Sequence, residues 1–180
     1  TKAMEAVSAA KMRKAQQQAL SGRPYARAAA ATLSRVAGSR ELLSHPLVSV
    51  RAVERALYIV ITSDKGLAGA LNSGVLRAVA RDMRESGLSA ETASVIAVGR
   101  KANDFFGNRG YRVEAFHPNN ADVSGAIVRT LVAEAAQRYA AGSVDRVVIA
   151  YQNFVSTFEQ RPTLRTVFPL SLQELERVVE

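Results

Sequence analysis

Short apolar runs alternate with amphipathic stretches from Arg55 onward, and this alternation constrains the fold more than any other feature. Leu57–Thr62 is a continuous run rich in β-branched residues, as expected of a strand that is buried on both faces. The predicted strands are 57–62, 94–98, 111–116 and 144–154, and the predicted helices between them are 71–85, 101–106 and 122–141. Strands that alternate with helices predict an open, largely parallel α/β sheet.

Two further elements are predicted after the last parallel strand. Phe158–Phe168 alternates as an added strand does, antiparallel to its predecessor, and Pro162 favours an edge position for it. Ser171–Glu180 begins a helix, with Ser171 as N-cap and Glu174 completing a capping box. The predicted fold class is therefore α/β, a long N-terminal coiled-coil helix followed by an open, mostly parallel Rossmann-like sheet flanked by helices. The predicted division is 1–54 for the N-terminal helix and its connector, 55–170 for the α/β domain and 171–180 for the start of a last helix.

The N-terminal segment is predicted to be a helix that needs a partner. The first 20 residues hold no Gly or Pro and are rich in Ala, Lys, Arg, Met and Gln, which are strong helix formers. Among the first 18, only Met4, Val7 and Met12 are large and apolar. A side made of small residues would let another helix approach closely, and it comprises Ala3, Ala6, Val7, Ala10 and Gln17. The segment Gly38–Glu54 is predicted to be a connector that packs on the α/β domain.

The positive charge of the chain is concentrated near its start. Eight of the first forty residues are basic and one is acidic, which leaves most of the net charge of +8 in this stretch. Such a charge requires no partner if it is a solvated helix face, but it is also compatible with an acidic protein surface or with nucleic acid. Nucleic-acid binding by residues 2–40 is disfavoured because the first 24 positions lack aromatic residues for stacking.

Several kinds of chemistry are excluded or disfavoured by residue content. The chain has no cysteine, so disulfides and thiolate metal sites are excluded, and no apolar run approaches the roughly 20 residues of a membrane span. His45 and His117 each stand beside a proline in a predicted loop, without a metal-ligand spacing. We predict no catalytic, metal or cofactor-binding residue.

The glycine-bearing turn Thr62–Asn72 is the strongest alternative for chemistry. It lies between a predicted strand and a helix, where backbone N–H groups often bind phosphate. However, its spacing matches neither dinucleotide nor P-loop patterns, because Lys65 precedes the glycines. A nucleotide-binding enzyme that uses Gly66 and Gly69 is therefore the alternative, against a tight turn that needs these glycines for backbone geometry.

Thr1–Gln16 reads TKAMEAVSAAKMRKAQ and Arg23–Tyr25 reads RPY. These stretches resemble the opening helix and the RPY motif of the gamma subunit of F-type ATP synthases, and two further stretches agree in the same order. Thr62–Asn72 resembles its SDRGLCG turn, with Lys65 in place of Arg and Ala68 in place of Cys. The segment from Asn153 to Leu170 resembles its NFVST, PT and LPL motifs, so the resemblance spans the whole chain.

The resemblance implies a non-catalytic rotor that couples ion-driven rotation of a membrane ring to ATP synthesis. The implied partners are the alpha and beta subunits of the catalytic hexamer, the epsilon subunit and the c ring, with no nucleic acid and no direct membrane insertion. The implied location is peripheral, on the cytoplasmic face of the bacterial plasma membrane. We expect Met4, Lys11, Arg13 and Lys14 to meet beta-subunit loops, which are acidic in this family. The resemblance also implies a fragment that lacks the start of the first helix and a closing C-terminal shaft helix.

Overall fold

The computed structural model of the chain describes residues 1–119 and 125–177. Its helices are α1 (Lys2–Val36), α2 (Arg40–Leu43), α3 (Leu71–Glu85), α4 (Arg100–Gly107), α5 (Gly125–Ala140) and α6 (Leu172–Arg177). Its strands are β1 (Ala56–Ile61), β2 (Ala93–Val98), β3 (Arg112–His117), β4 (Arg146–Ser156) and β5 (Glu159–Phe168). The predicted start of α5 at Asp122 and the last three residues of the predicted C-terminal helix lie outside the described residues.

The five strands form one sheet in the order β3-β2-β1-β4-β5. The first four are parallel, and β5 is antiparallel to β4 at the edge, as Pro162 predicts. The predicted fold class is confirmed. Strand β1 lies between β2 and β4, so that Ile59 pairs with Ile96 of β2 and with Ile149 of β4. Its first five residues are all buried, as a strand covered on both faces requires.

Each face of the sheet carries its own apolar core. Tyr58 and Val60 point to the face covered by α3 and α4, whereas Leu57 and Ile59 point to the face covered by α5. Successive side chains of a strand alternate between faces, so the single run at β1 serves both cores. Helix α3 supplies Val75, Leu76, Val79 and Met83 at helical spacing, and its ends coincide with the predicted ones.

Gly99 joins β2 to α4 in a conformation that other residues rarely adopt. Its φ is +104°, and a Cβ there would stand 2.1 Å from the backbone oxygen of Thr62. The side chain of Thr62 is buried and accepts a hydrogen bond from the N–H of Ala102 at 2.9 Å. The ends of β1 and β2 are therefore held together where the helix begins.

The connector after α1 packs on the α/β domain, as predicted. Leu170 donates its backbone N–H to the oxygen of Leu47 at 2.7 Å, and Arg51 lies over the ring of Tyr139 at 4.1 Å from its centroid. Tyr139 in turn donates its hydroxyl to the backbone oxygen of Ser49. The connector thus reaches both α5 and the end of β5.

Two local predictions are wrong. His117 is the last residue of β3 rather than part of a loop, and its backbone oxygen accepts the N–H of Gly99. In the turn after β1, positive φ values occur at Leu67 and Gly69 but not at Gly66. The turn thus has one left-handed residue at Leu67, whose side chain is fully exposed, and a second at Gly69.

Candidate partner-binding helix

Helix α1 is long and largely uncovered. Its 35 residues rise about 50 Å at 1.5 Å per residue, and Ala30 is its buried residue. Met4 is 76% exposed, Val7 55% and Met12 51%. These side chains meet no core within residues 1–119 and 125–177, so the first half of α1 presents apolar and basic groups directly to solvent.

One side of α1 is partly covered by the rest of the chain. Residues on this side recur every seven positions. Its members are less exposed than their neighbours; they are Ala9, Gln16, Arg23, Ala30 and Ala37, together with Ala26 and Leu33. A seven-residue repeat keeps one side of a helix turned toward a neighbour. In the sequence this side is no more hydrophobic than the other sides of α1, because alanine, glutamine and arginine also occur elsewhere along the helix. Sequence reasoning missed it for that reason.

The partly covered side reaches β4 and the turn that follows it. The amide Nε2 of Gln16 donates to the hydroxyl of Thr157 at 3.4 Å. Nη2 of Arg23 donates to the backbone oxygen of Phe154 at 3.2 Å. Helix α6 also lies against α1. Contact with the domain is thus concentrated in the second half of α1.

The four predicted partner-binding residues are all exposed, but they do not share one side. At 100° per residue, Met4, Lys11 and Lys14 fall within about 80° of one another, and Val7 lies among them. Arg13 falls about 180° from Met4, closer to the covered side. The structure therefore brings three of the four together, in a stripe away from the α/β domain. We name Met4, Val7, Lys11 and Lys14 the outer stripe.

The predicted small-residue side is open as well. Its five members, from Ala3 to Gln17, are all exposed. It lies next to the covered side rather than on it, because Ala10 and Gln17 follow Ala9 and Gln16 by one residue each, which is about 100° around the helix. A helix-sized partner is therefore sterically free to approach α1 here.

The turn after β1 is organised by its own side chains rather than as a phosphate cradle. Oδ1 of Asp64 accepts the N–H of Arg100 at 2.9 Å and that of Asn119 at 3.1 Å. Oδ1 of Asn72 accepts the N–H of Ser63 at 2.9 Å. The carboxylate of Asp64 thus lies within the turn, where it is engaged by backbone N–H groups and where its negative charge would repel a phosphate. This geometry does not favour the nucleotide-binding alternative.

Two other kinds of site are lacking in the part of the chain that the structure covers. Within residues 1–119 and 125–177, no three His, Asp or Glu side chains gather as metal ligands. None of the helices in those ranges combines the length and apolar character that a membrane span needs.

Together, the fold and the open helix define a class of protein: an α/β domain that carries a long, largely uncovered helix. Comparison with known proteins identifies the family. The sequence model of the ATP synthase family matches residues 1–179. The ATP synthase gamma chain of Pelotomaculum thermopropionicum is 42% identical over 177 residues, which cover 98% of this chain and 61% of that relative. The gamma chain of Heliobacterium modesticaldum is 36% identical over 96% of this chain and 59% of its own length.

A solved structure agrees with the sequence relatives. A chain in the cryo-EM structure of the Tetrahymena thermophila mitochondrial ATP synthase central stalk and c ring aligns with a TM-score of 0.63 and 26% identity. The alignment covers 93% of this chain and 71% of that one. The chain belongs to the ATP synthase gamma-subunit family. It spans about three-fifths of the length of the curated relatives it matches.

Proposed function

We propose that this chain is part of the rotor of an F-type ATP synthase, a central-stalk subunit that couples ion-driven rotation to ATP synthesis. The observation that carries the proposal is the open first half of α1. A helix with 76% of Met4 exposed and an unfilled small-residue side needs a protein partner. Membership of the gamma family supplies the partner: the ring of alpha and beta subunits.

The outer stripe and Arg13 are proposed to meet the acidic loops of the beta subunits. Lys11 and Lys14 lie on one side of α1 and Arg13 on the other, so a helix that turns inside a ring would present them to successive subunits. Exposed ion pairs contribute roughly 0–1 kcal/mol each. Such pairs are weak enough to break and reform, so they would guide rotation without locking it.

The α/β domain is proposed to sit below the hexamer, joining the epsilon subunit and the membrane c ring. In this proposal residues 1–54 form the shaft helix and connector, 55–170 the globular domain, and 171–180 the start of a second shaft helix. The position of α6 against α1 supports this last assignment. The complex is placed at the cytoplasmic face of the bacterial plasma membrane, with this subunit peripheral to it.

The subunit is proposed to be non-catalytic, with ATP chemistry confined to the catalytic hexamer. The support is local. The carboxylate of Asp64 is engaged by two backbone N–H groups and is held in the turn rather than presented to a substrate. Nδ1 of His45 accepts the N–H of Leu47 at 3.2 Å within its own loop.

Assembly tests the proposal. A gamma subunit that contains this chain and has the full length of its relatives is coexpressed with the alpha and beta subunits of the same complex. Copurification of the three subunits and ATP hydrolysis are then measured. We expect a complex. In membranes that hold the whole complex, we expect a variant lacking residues 1–18 to lose the coupling of ATP hydrolysis to proton pumping. The variant Arg84→Gln, on the exposed side of α3, is the matched control and should behave as the parent. Failure of the parent to assemble, or ATP hydrolysis by the isolated chain, would overturn the proposal.

A further inference from the structure

The β4–β5 hairpin extends well beyond the rest of the sheet. Strand β1 pairs with β4 only as far as Ala150, whereas β4 continues to Ser156 and pairs there with β5 alone. Six residues beyond the last parallel pair span about 20 Å at 3.3 Å per residue. A two-stranded ribbon of this kind has little stability of its own, so it needs support from neighbouring elements.

The base of the projecting hairpin is supported by α3. Pro162 pairs with Gln152 across the two strands, and its ring packs on Gly74 of α3. A Cβ at Gly74 would stand 2.9 Å from Cγ of Pro162, so the helix and the ribbon touch as closely as their backbones allow. This contact fixes the direction in which the hairpin leaves the sheet.

The far end of the hairpin is joined to α1. Gln16 bonds to Thr157 at the turn, and Arg23 bonds to the oxygen of Phe154 on β4. The two helix residues are seven apart and therefore lie on the same side of α1. The two hairpin residues are three apart. The hairpin thus runs along the helix and contacts it at two points.

These polar contacts bridge a gap rather than accompany a packed interface. A cavity of about 400 Å³ lies between helix and strand, lined by Ala19, Gly22, Ala26, Tyr151 and Asn153 among others. The small helix residues do not fill it. Arg23 also lines the cavity, and its guanidinium reaches the strand, so this side chain carries the contact at mid-hairpin.

The bridge falls where α1 is intrinsically weakest. Pro24 lies inside the helix, and it has no N–H to donate to the oxygen of Leu20. An interior proline weakens or kinks a helix, and Gly22 adds backbone freedom nearby. The contact at Arg23 immediately precedes the proline, and the contact at Gln16 lies two turns before it. Both contacts therefore hold the part of α1 that precedes Pro24, while the part that follows Pro24 leads into the connector.

We propose that the β4–β5 hairpin is a brace that fixes the angle of α1 on the α/β domain, with Arg23 as its positioning residue. The brace is a property of the chain itself. Its consequence for coupling rests on the function proposed above: without it, turning of the α/β domain would be absorbed by bending at Pro24 instead of reaching the first half of α1.

A distance measurement on the chain tests the brace directly. Because the chain has no cysteine, Lys11→Cys and Arg84→Cys give two unique spin-label sites, one on α1 and one on α3. Electron–electron double resonance then reports the spread of distances between them. We expect a narrow distribution for the parent and one about twofold broader for Arg23→Gln combined with Gln16→Ala and Thr157→Ala. Lys14→Gln, on the outer stripe, is the matched control and should leave the distribution unchanged.

Two further variants keep the test decisive if the triple variant unfolds. Arg23→Gln alone should broaden the distribution less, and Arg23→Lys should restore part of the parent width because an ammonium can donate to the same oxygen. In unlabelled chain, Gln16→Cys with Thr157→Cys should be joined by a short bifunctional thiol reagent, because the side chain of Gln16 reaches Thr157 across this gap. A distribution as narrow as the parent's in folded Arg23→Gln, or no such cross-link, overturns the brace.

The consequence for coupling is measured in the assembled complex. Arg23→Gln should leave ATP hydrolysis within about twofold of the parent and lower the protons pumped per ATP hydrolysed by a larger factor. Equal coupling in parent and variant overturns this consequence, whatever the distance distribution. Failure of the parent itself to assemble would count against the proposed function and not against the brace, since the distance measurement needs no partner.

Discussion

Nε of Arg51 donates to Oδ1 of Asp145 at 2.9 Å, across 94 positions of sequence. The other carboxylate oxygen accepts the N–H groups of Glu54 and Arg55 at 3.0 and 2.9 Å. Asp145 therefore ties the connector to the start of β4. Since α1 leads into this connector, the Arg51–Asp145 pair anchors the C-terminal end of α1 to the α/β domain.

The carboxylate of Asp145 makes stability depend on pH. Burial alone would raise its pKa, but the N–H of Arg55, the side chain of Arg51 and the N–H of Glu54 outweigh burial and hold the pKa below its ordinary value of 3.8. Because the pKa of Asp145 is lower in the folded state than in the unfolded state, its carboxylate stabilises the fold at pH values above the unfolded-state pKa. This stabilisation is lost as the pH falls through the folded-state pKa. Asp145→Asn should cost about 2 kcal/mol near pH 7, between the values for surface and buried pairs.

Urea denaturation at several pH values measures this effect. The difference in unfolding free energy between parent and Asp145→Asn should shrink as the pH falls below about 4. Asp104→Asn is the control, because Asp104 is exposed on α4, and it should change stability little. A difference that stays constant down to about pH 2 would show that the carboxylate charge contributes nothing.

Replacing Gly74 of α3 by alanine is expected to lower stability, whereas the same replacement inside most helices raises it. Gly→Ala inside a helix normally stabilises by up to about 1 kcal/mol. At Gly74 the new methyl would stand 2.9 Å from the ring of Pro162, so Gly74→Ala should destabilise by about 1–3 kcal/mol. Gly22→Ala in α1, where nothing lies within 4 Å, is the matched control and should be neutral or stabilising. Thermal unfolding compares the two, and equal effects would mean that the hairpin does not press on α3.

Charge reversal separates the two sides of α1. Under the proposed function, Lys11→Glu with Lys14→Glu repels acidic loops from the outer stripe, whereas Arg13→Glu acts from the other side. Each exposed pair contributes at most about 1 kcal/mol, so Arg13→Glu should change the rate of coupled ATP hydrolysis by no more than about fivefold, and the double variant by no more than about thirtyfold. The effect should weaken as salt is raised. A loss of all activity at any salt concentration would instead indicate a folding or assembly defect.

The sequence predicts the sheet well because its elements depend on local pattern. Leu57–Thr62 is β-branched and continuous, and α3 repeats apolar residues at helical spacing up to Gly87, so both were placed within a residue or two. Pro162 correctly predicts the edge position of β5. In β1 and α3 the apolar residues of the sequence coincide with the buried residues of the fold.

The contacts of α1 were not predictable in the same way. Its covered side is built from Ala9, Gln16 and Arg23, whose residue types also occur on its open sides, and the contacts that select this side come from Phe154 and Thr157. Arg51 and Asp145 are 94 positions apart, so no local pattern in the sequence indicates that they pair. Exposure of Met4, Lys11, Arg13 and Lys14 is consistent with the expected interface, whereas their contacts with acidic loops stay a prediction.

Site-specific cross-linking in the assembled complex tests the central claim most directly. The chain has no cysteine, so a photoactivatable thiol reagent can be placed at Lys11→Cys on α1 or at Arg84→Cys on α3, one site at a time. If the outer stripe turns inside the ring, Lys11→Cys will cross-link to alpha or beta subunits and block ATP hydrolysis, while Arg84→Cys will form no such link. Cross-links to alpha or beta from Arg84→Cys but none from Lys11→Cys would contradict the rotor account.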